Sequence, residues 1–392
     1  MSPQRSLFVT ATTIALTAIV AVAAACSSDD APADNSGTTA TSAVPTVVRT
    51  VTRVRTGPVL ELANGGNWIN SVPLTIGEQI DQNKVVLVDF WTYTCVNCIR
   101  TIPFLREWYD KYSGRGLVII GVHTPEFEFE KDAANVERAA MELGVEWPIA
   151  QDNDYNTWNK FGNRYWPAKY LIGVDGELAY THFGEGSYVE TEEKIREALT
   201  AAGHDVTDIP IGSVNNVKRD EAATAITREL YGGYDRNLSL GGGYAAQDAY
   251  YLNQDKTFEY VDEGFRAADK FYLQGPWRAE REAVVHARET TSPEDYLALK
   301  VAATSVNVVI EPDGPEPFDV FVEISDAPLT ADQAGEDIMF DSQGRSYFTV
   351  TDARLYAIVR LPEFAISEMK LSSTSDNFAI FAFTFGINES GI

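Results

Sequence analysis

The sequence predicts an α/β domain built on a mixed sheet, followed by an all-β sandwich. Three observations carry that reading. Between residues 57 and 203, short apolar runs alternate with segments of helical periodicity. Beyond residue 226 the helical period fades, and alternation of period two, punctuated by turn residues, replaces it. The pair Cys95 and Cys98 stands where a strongly apolar strand runs into a long helix.

The chain opens with Arg5, an apolar stretch from Leu7 to Ala25, and then Cys26-Ser27-Ser28-Asp29, the pattern of an export signal. Ending on Ala23-Ala24-Ala25-Cys26, it resembles a bacterial lipoprotein signal over residues 1–25, with Cys26 as the lipidated mature N-terminus. That family usually has Leu where Ala23 stands. Residues 26–56 are rich in Ser, Thr, Ala, Asp and Pro; they cannot bury enough apolar surface to order themselves and read as a tether.

In the first domain, residues 57–203, Val85–Trp91 is a buried strand and Cys95–Tyr112 a helix, with Ile99, Ile102, Leu105, Trp108 and Tyr109 near helical spacing. Gly114-Arg115-Gly116 stops that helix, Leu117–Val122 is a second strand, and Asp132–Leu143 is a helix closed by Gly144. Lys169–Val174 and Leu178–Thr181 flank the turn Asp175-Gly176, and Thr191–Ala202 is a terminal amphipathic helix. Residues 204–226 form a polar connector. In the second domain, residues 227–392, the sets Phe318/Val320/Val322/Ile324, Leu355/Ala357/Val359 and Phe381/Phe383/Phe385 each share one strand face by period two.

Cysteine usage separates reactive from structural thiols. The chain has three cysteines; setting Cys26 aside leaves one pair, and an exported protein that relied on disulfide staples would carry more. A loop of two residues does little for stability. A cysteine at a helix N-terminus faces unpaired N–H groups and the positive end of the helix dipole, which favour thiolate, so Cys95 is the nucleophile and Cys98 the resolving thiol. Structural zinc needs about four ligands. No second Cys-x-x-Cys exists and His123, His182, His204 and His286 are scattered, so neither a metal nor any cofactor beyond the Cys95–Cys98 disulfide is expected. The net charge of −26 argues against nucleic acid and anionic membrane surfaces as partners. After the signal no apolar run is long enough to cross a bilayer, so the expected placement is the outer face of the plasma membrane, held by lipid at Cys26.

The first domain resembles thioredoxin. Val88-Asp89-Phe90-Trp91 leading to Cys95, Pro103 five residues after Cys98, and Trp166-Pro167 before a strand follow that family's order. The resemblance implies that Asp89 is a buried proton acceptor for Cys98, that Pro103 kinks the helix, and that Trp166-Pro167 is a cis peptide lining the partner site. Within the superfamily, the chain is similar to the exported TlpA/ResA-type thiol–disulfide oxidoreductases. They carry an insertion after the second strand, here His123 to about Asp154, and a glutamate after that strand, here Glu126, the second candidate for proton transfer. The strings Trp91-Thr92-Tyr93-Thr94-Cys95, His123-Thr124-Pro125-Glu126-Phe127, Tyr231-Gly232-Gly233-Tyr234, Ala353-Arg354-Leu355-Tyr356 and Phe383-Thr384-Phe385-Gly386 resemble the extracytoplasmic region of DipZ-type proteins, over nearly all of residues 57–388. That resemblance implies a jelly-roll-like, carbohydrate-binding-module-like second domain. DipZ-type proteins carry their membrane electron-transfer domain on the same chain, so here a separate membrane electron donor or acceptor is expected.

The expected chemistry is disulfide exchange with exported protein disulfides or dithiols. Asp89→Asn is expected to slow release of the mixed disulfide and, by replacing a buried charge with an amide, to stabilise the fold. Two readings from other classes stand beside it. Tyr231, Tyr234, Tyr244, Tyr250, Tyr251 and Trp277 could stack on envelope glycan, with the first domain as scaffold, or fill a core. Thr92, three residues before Cys95, is similar to the Thr-x-x-Cys of peroxide-reducing peroxiredoxins, although Val88 stands where that pattern wants proline.

Overall fold

The computed structural model describes residues 59–63, 65–212, 226–239 and 242–386. Cys26, the signal and the tether lie outside them, as does residues 213–225 of the connector. The described residues belong to one compact unit.

The first half contains β1 (Trp68–Ile69), α1 (Ile76–Asp81), β2 (Val85–Trp91), α2 (Val96–Tyr112), β3 (Leu117–His123), α3 (Ala133–Glu142), β4 (Ile149–Gln151), α4 (Asn156–Phe161), β5 (Ala168–Ile172), β6 (Leu178–Phe183) and α5 (Tyr188–Ala201). Its sheet runs β1-β4-β3-β2-β5-β6, with β2 parallel to β3 and antiparallel to β5. Every residue of β2 is buried, because the central strand has helices on both faces. Val85, Leu87 and Trp91 join α2 and α5 in one apolar cluster. Val86, Val88 and Phe90 join α1 and α4 in another. Period two therefore places Asp89 on the side covered by α2.

The second half contains β7 (Phe271–Ala279), β8 (Val284–His286), β9 (Tyr296–Pro312), β10 (Phe318–Ile324), β11 (Ser346–Val350), β12 (Arg354–Ser373), β13 (Phe378–Gly386) and several shorter strands. The expected sandwich is a single 11-stranded antiparallel sheet folded onto itself, rather than two separate sheets. The fold-over follows from strand length. The first part of β9 pairs with β7 and the end of β12, whereas its last part pairs with β13 and the start of β12. Leu297, Leu299, Val308, Ile310, Val320, Val322, Phe348 and Leu371 fill the space between the two layers.

Bulges overturn two of the expected face assignments. Ala382 and Ile380 sit opposite the consecutive residues Val309 and Ile310, so Phe381 is an extra residue in β13. A bulge re-aims the side chains around it. Phe383 and Phe385 enter the sandwich core, but Phe381 turns to the first domain. In β12 the register likewise skips Ile358, leaving Leu355 on the first-domain side and Val359 in the sandwich core. The set Phe318, Val320, Val322 and Ile324 keeps one face as expected. The folded sheet thus has a second apolar face, and Ala283, Val285, Val309, Leu355 and Phe381 on it merge with the α2 core of the first domain.

The six aromatic residues considered for glycan are placed differently from one another. Trp277, Tyr250 and Tyr244 are buried in the sandwich core. The Tyr251 hydroxyl donates to Asn237 and Ala245 O, that of Tyr234 to Asp255, and that of Tyr231 to Glu126 across the domain junction.

Candidate active site

Cys95 is the N-cap of α2: its Sγ accepts from the Cys98 N–H at 3.3 Å, and its own carbonyl accepts from Ile99. A capping side chain satisfies one of the N–H groups that the first helical turn leaves unpaired. Ile102, Leu105, Trp108 and Tyr112 tie the helix to the sheet, and Pro103 lies within it. Both cysteines are free thiols; Cys95 is half-buried and Cys98 is 1% exposed. Burial first, then hydrogen bonding to Cys95, pushes the Cys98 thiol well above its ordinary range, and the Asp89 charge pushes it the same way. Nucleophilic attack by Cys98 therefore requires a proton acceptor close by.

Asp89 is 2% exposed, and burial pushes its carboxyl up to about 6 against the opposing charge of Lys169. Lys169 was not singled out from the sequence. It is fully buried, sits directly opposite Asp89 in the β2–β5 ladder, and its Nζ lies 3.8 Å from Asp89 Oδ1. Burial pulls the Lys169 ammonium down, while Asp89 and both cysteines draw it up. The signal for it was a lysine in the otherwise apolar run Ala168-Lys169-Tyr170-Leu171-Ile172, in phase with Leu171, whose side chain joins the α2 core. An acid and a base thus stand together beneath Cys98. A carboxyl held near 6 is mostly ionised at neutral pH yet takes up a proton readily, as proton transfer from a buried thiol requires.

Glu126 faces away from this pair. Its carboxylate accepts from the Tyr231 hydroxyl at 3.0 Å and is ion-paired with Arg236, both from the second domain. A fully buried acid of the insertion is Glu130, four residues on. It accepts from the Thr94 hydroxyl at 2.5 Å and from the Phe127 N–H at 3.0 Å, and also accepts from the Glu126 N–H. Burial, then the Glu126 charge, pushes its carboxyl up to about 7. Alternation of period two in Glu126-Phe127-Glu128-Phe129-Glu130 would put all three glutamates on one side. Residues Glu128–Lys131 are instead a 3-10 turn, in which positions three apart share a side. Phe127 and Glu130 both face inward, whereas Glu128 and Lys131 form an exposed ion pair at 2.6 Å.

Trp166-Pro167 is a cis peptide bond. The Trp166 Nε1–H donates to Thr124 O at 3.1 Å, and its ring packs on Trp158 with centroids 4.2 Å apart. The Thr92 hydroxyl lies 3.3 Å from His123 Nε2 and is fully buried. Burial pulls His123 down to about 3, leaving its imidazole neutral, and the ring stacks on Tyr93. Among the described residues, no three His, Cys, Asp or Glu side chains are grouped to hold a metal ion.

Residues 67–181 match the AhpC/TSA family, and residues 227–386 match the thioredoxin-like C-terminal domain family. The chain is 42% identical to DipZ of Mycobacterium tuberculosis over 229 residues, 58% of this chain and 31% of DipZ. It therefore spans about a third of that relative's length. It is 29% identical over 142 residues to the thiol-disulfide oxidoreductase YkuV of Bacillus subtilis, covering 36% of this chain and 94% of YkuV. It is 31% identical over 127 residues to the thiol-disulfide oxidoreductase ResA of Halalkalibacterium halodurans, covering 31% of this chain and 67% of ResA. With a thiol pair at the start of α2, a buried acid in the adjoining strand β2 and a cis Trp166-Pro167 bond before β5, the chain belongs to the thioredoxin-like family of ResA-type thiol–disulfide oxidoreductases.

Proposed function

We propose that this protein is an extracytoplasmic thiol–disulfide oxidoreductase acting on disulfides or dithiols of exported proteins, tethered to the membrane by lipid at Cys26. The observation that carries the reading is the inequality of the two thiols: a half-exposed Cys95 capping α2, and a buried Cys98 backed by Asp89 and Lys169. In the reductive direction the Cys95 thiolate attacks a partner disulfide. The partner S–S bond breaks, one partner thiolate leaves, and a mixed disulfide forms. Cys98 gives its proton to Asp89 and attacks the Cys95 sulfur. The second partner thiolate leaves, the Cys95–Cys98 disulfide closes, and two electrons have passed to the partner. The reverse sequence oxidises a partner dithiol. Trp166 and Pro167 supply the wall and backbone against which the partner segment lies.

Reduction of insulin disulfides by dithiothreitol should be accelerated by the wild-type protein and should return to the uncatalysed rate in Cys95→Ser. Retention of most of the acceleration in a folded Cys95→Ser protein would remove the thiol pair from the function. No helix among the described residues is long and apolar enough to cross a membrane, and two acyl chains on one residue suffice for stable anchoring. Cys26→Ala should therefore move the processed protein from the membrane to the soluble fraction. Unchanged sedimentation with membranes would place the attachment elsewhere.

A further inference from the structure

The turn that presents Cys95 is held by the second domain through one segment of the insertion. Tyr93, two residues before Cys95, meets Phe129 edge-on at 6.3 Å, and Thr94 donates its hydroxyl to Glu130. Phe129 in turn meets Phe381 edge-on at 4.9 Å, and Phe127 meets it at 5.3 Å. Phe381 is the bulged residue of β13, aimed at the first domain because of that bulge. Polar contacts brace the same segment: Glu126 to Tyr231 and Arg236, and the Glu128 N–H to Glu282 Oε2 at 2.9 Å. Glu130 has its oxygens taken up by Thr94 and by two backbone N–H groups of this segment, so its position follows that of the segment.

We propose that the second domain is a working part of the redox site: Phe381, acting through Phe129 and Glu130, positions the Thr92–Thr94 turn and thereby sets the equilibrium between the Cys95–Cys98 dithiol and its disulfide. Phe381 and Glu130 are positioning residues in this account, and neither touches the partner. The physical basis is effective concentration. Closing the disulfide requires Cys95 and Cys98 to meet in one geometry, and a turn clamped by that segment holds Cys95 near it. Releasing the clamp leaves the dithiol freer, so the disulfide is reduced more readily.

The proposal rests on the thiol-exchange reading but is tested by equilibrium with a glutathione buffer, which needs no partner and no turnover. In full-length Phe381→Ala the equilibrium constant for disulfide formation should fall about tenfold, which for this two-electron couple is about 30 mV toward easier reduction. Phe383→Leu perturbs a neighbouring buried phenylalanine whose side chain lies in the sandwich core instead, and should leave the constant within about twofold of wild type. Thr94→Val removes the hydroxyl that Glu130 holds from within the first domain, so it should reproduce the shift of Phe381→Ala. The double variant should shift little further than either single one, because the two act on one chain of contacts. Thermal melts confirm folding of each. A wild-type constant in folded Phe381→Ala overturns the proposal, and so does an equal shift in Phe383→Leu. Should Phe381→Ala not fold, Phe381→Leu takes its place, and full additivity with Thr94→Val overturns the proposal equally. Failure of the thiol-exchange reading would show separately, as insulin reduction that survives Cys95→Ser.

Discussion

In Asp89→Asn the mixed disulfide between Cys95 and a model substrate should accumulate, because in the proposed mechanism the step that removes the Cys98 proton has lost its acceptor. The first attack by Cys95 should stay nearly intact. General-base assistance is typically worth ~10²–10⁴-fold, so release of the reduced partner should slow by that order near neutral pH. Since burial holds the Asp89 carboxyl at about 6, the wild-type resolution rate should rise as pH increases through that value, where the acceptor becomes ionised. The variant should lose that limb. Rapid-quench trapping of the mixed disulfide from pH 5 to 8 reads both effects. Equal resolution rates in the two folded proteins would take Asp89 out of the mechanism. The stabilisation expected for this variant from sequence is opposed in the structure by Lys169. Lys169, fully buried and 3.8 Å from Asp89, would be left as an unpartnered buried ammonium. Breaking a buried pair from one side typically costs about 3–5 kcal/mol, so Asp89→Asn should destabilise unless Lys169 gives up its proton.

Lys169→Met tests the same pair from the other side. The methionine keeps most of the side-chain volume and leaves Asp89 as an unpartnered buried carboxylate, again at a cost of about 3–5 kcal/mol where that carboxylate is ionised. The pH dependence fixes the sign. Asp89 already has a folded-state value raised from 3.8 to about 6, and the Lys169 charge is what opposes a further rise. A carboxyl whose folded value is raised binds more protons in the folded chain, so its contribution to stability is fully present below the unfolded value and is lost as pH rises through the folded one. Without Lys169 that loss extends to higher pH. Urea melts should therefore show a small deficit against wild type at pH 5 and a deficit several-fold larger at pH 8. The same deficit at both values would mean that Lys169 contributes packing rather than charge.

The α/β order, the thiol pair at the start of α2, the burial of Asp89 and the cis bond at Trp166-Pro167 were legible because each rests on local sequence. An apolar strand, a helix-starting cysteine and a proline before a strand are patterns within a few residues, and the helix ends fell within a few residues of the expected ones. The shift from helical to alternating periodicity likewise announced the β domain. Three features depended on contacts between distant residues. Lys169 faces Asp89 only because β5 pairs antiparallel with β2 in one register, and register is a property of two strands. Glu130, rather than Glu126, lies beside the Cys95 turn because residues Glu128–Lys131 form a 3-10 turn, whose period of three turns Glu130 inward on the side of Phe127. Phe381 leaves the sandwich core because a single extra residue in β13 reverses its side, and nothing in Phe381-Ala382-Phe383 marks where that bulge falls. The sequence by itself determined which reactive groups the site holds, because thiols, an acid and a helix start are set by residue type and spacing. Only the tertiary structure decided which charges meet beneath Cys98 and how the second domain reaches the redox turn, because register, bulges and domain contact arise between segments far apart in the chain.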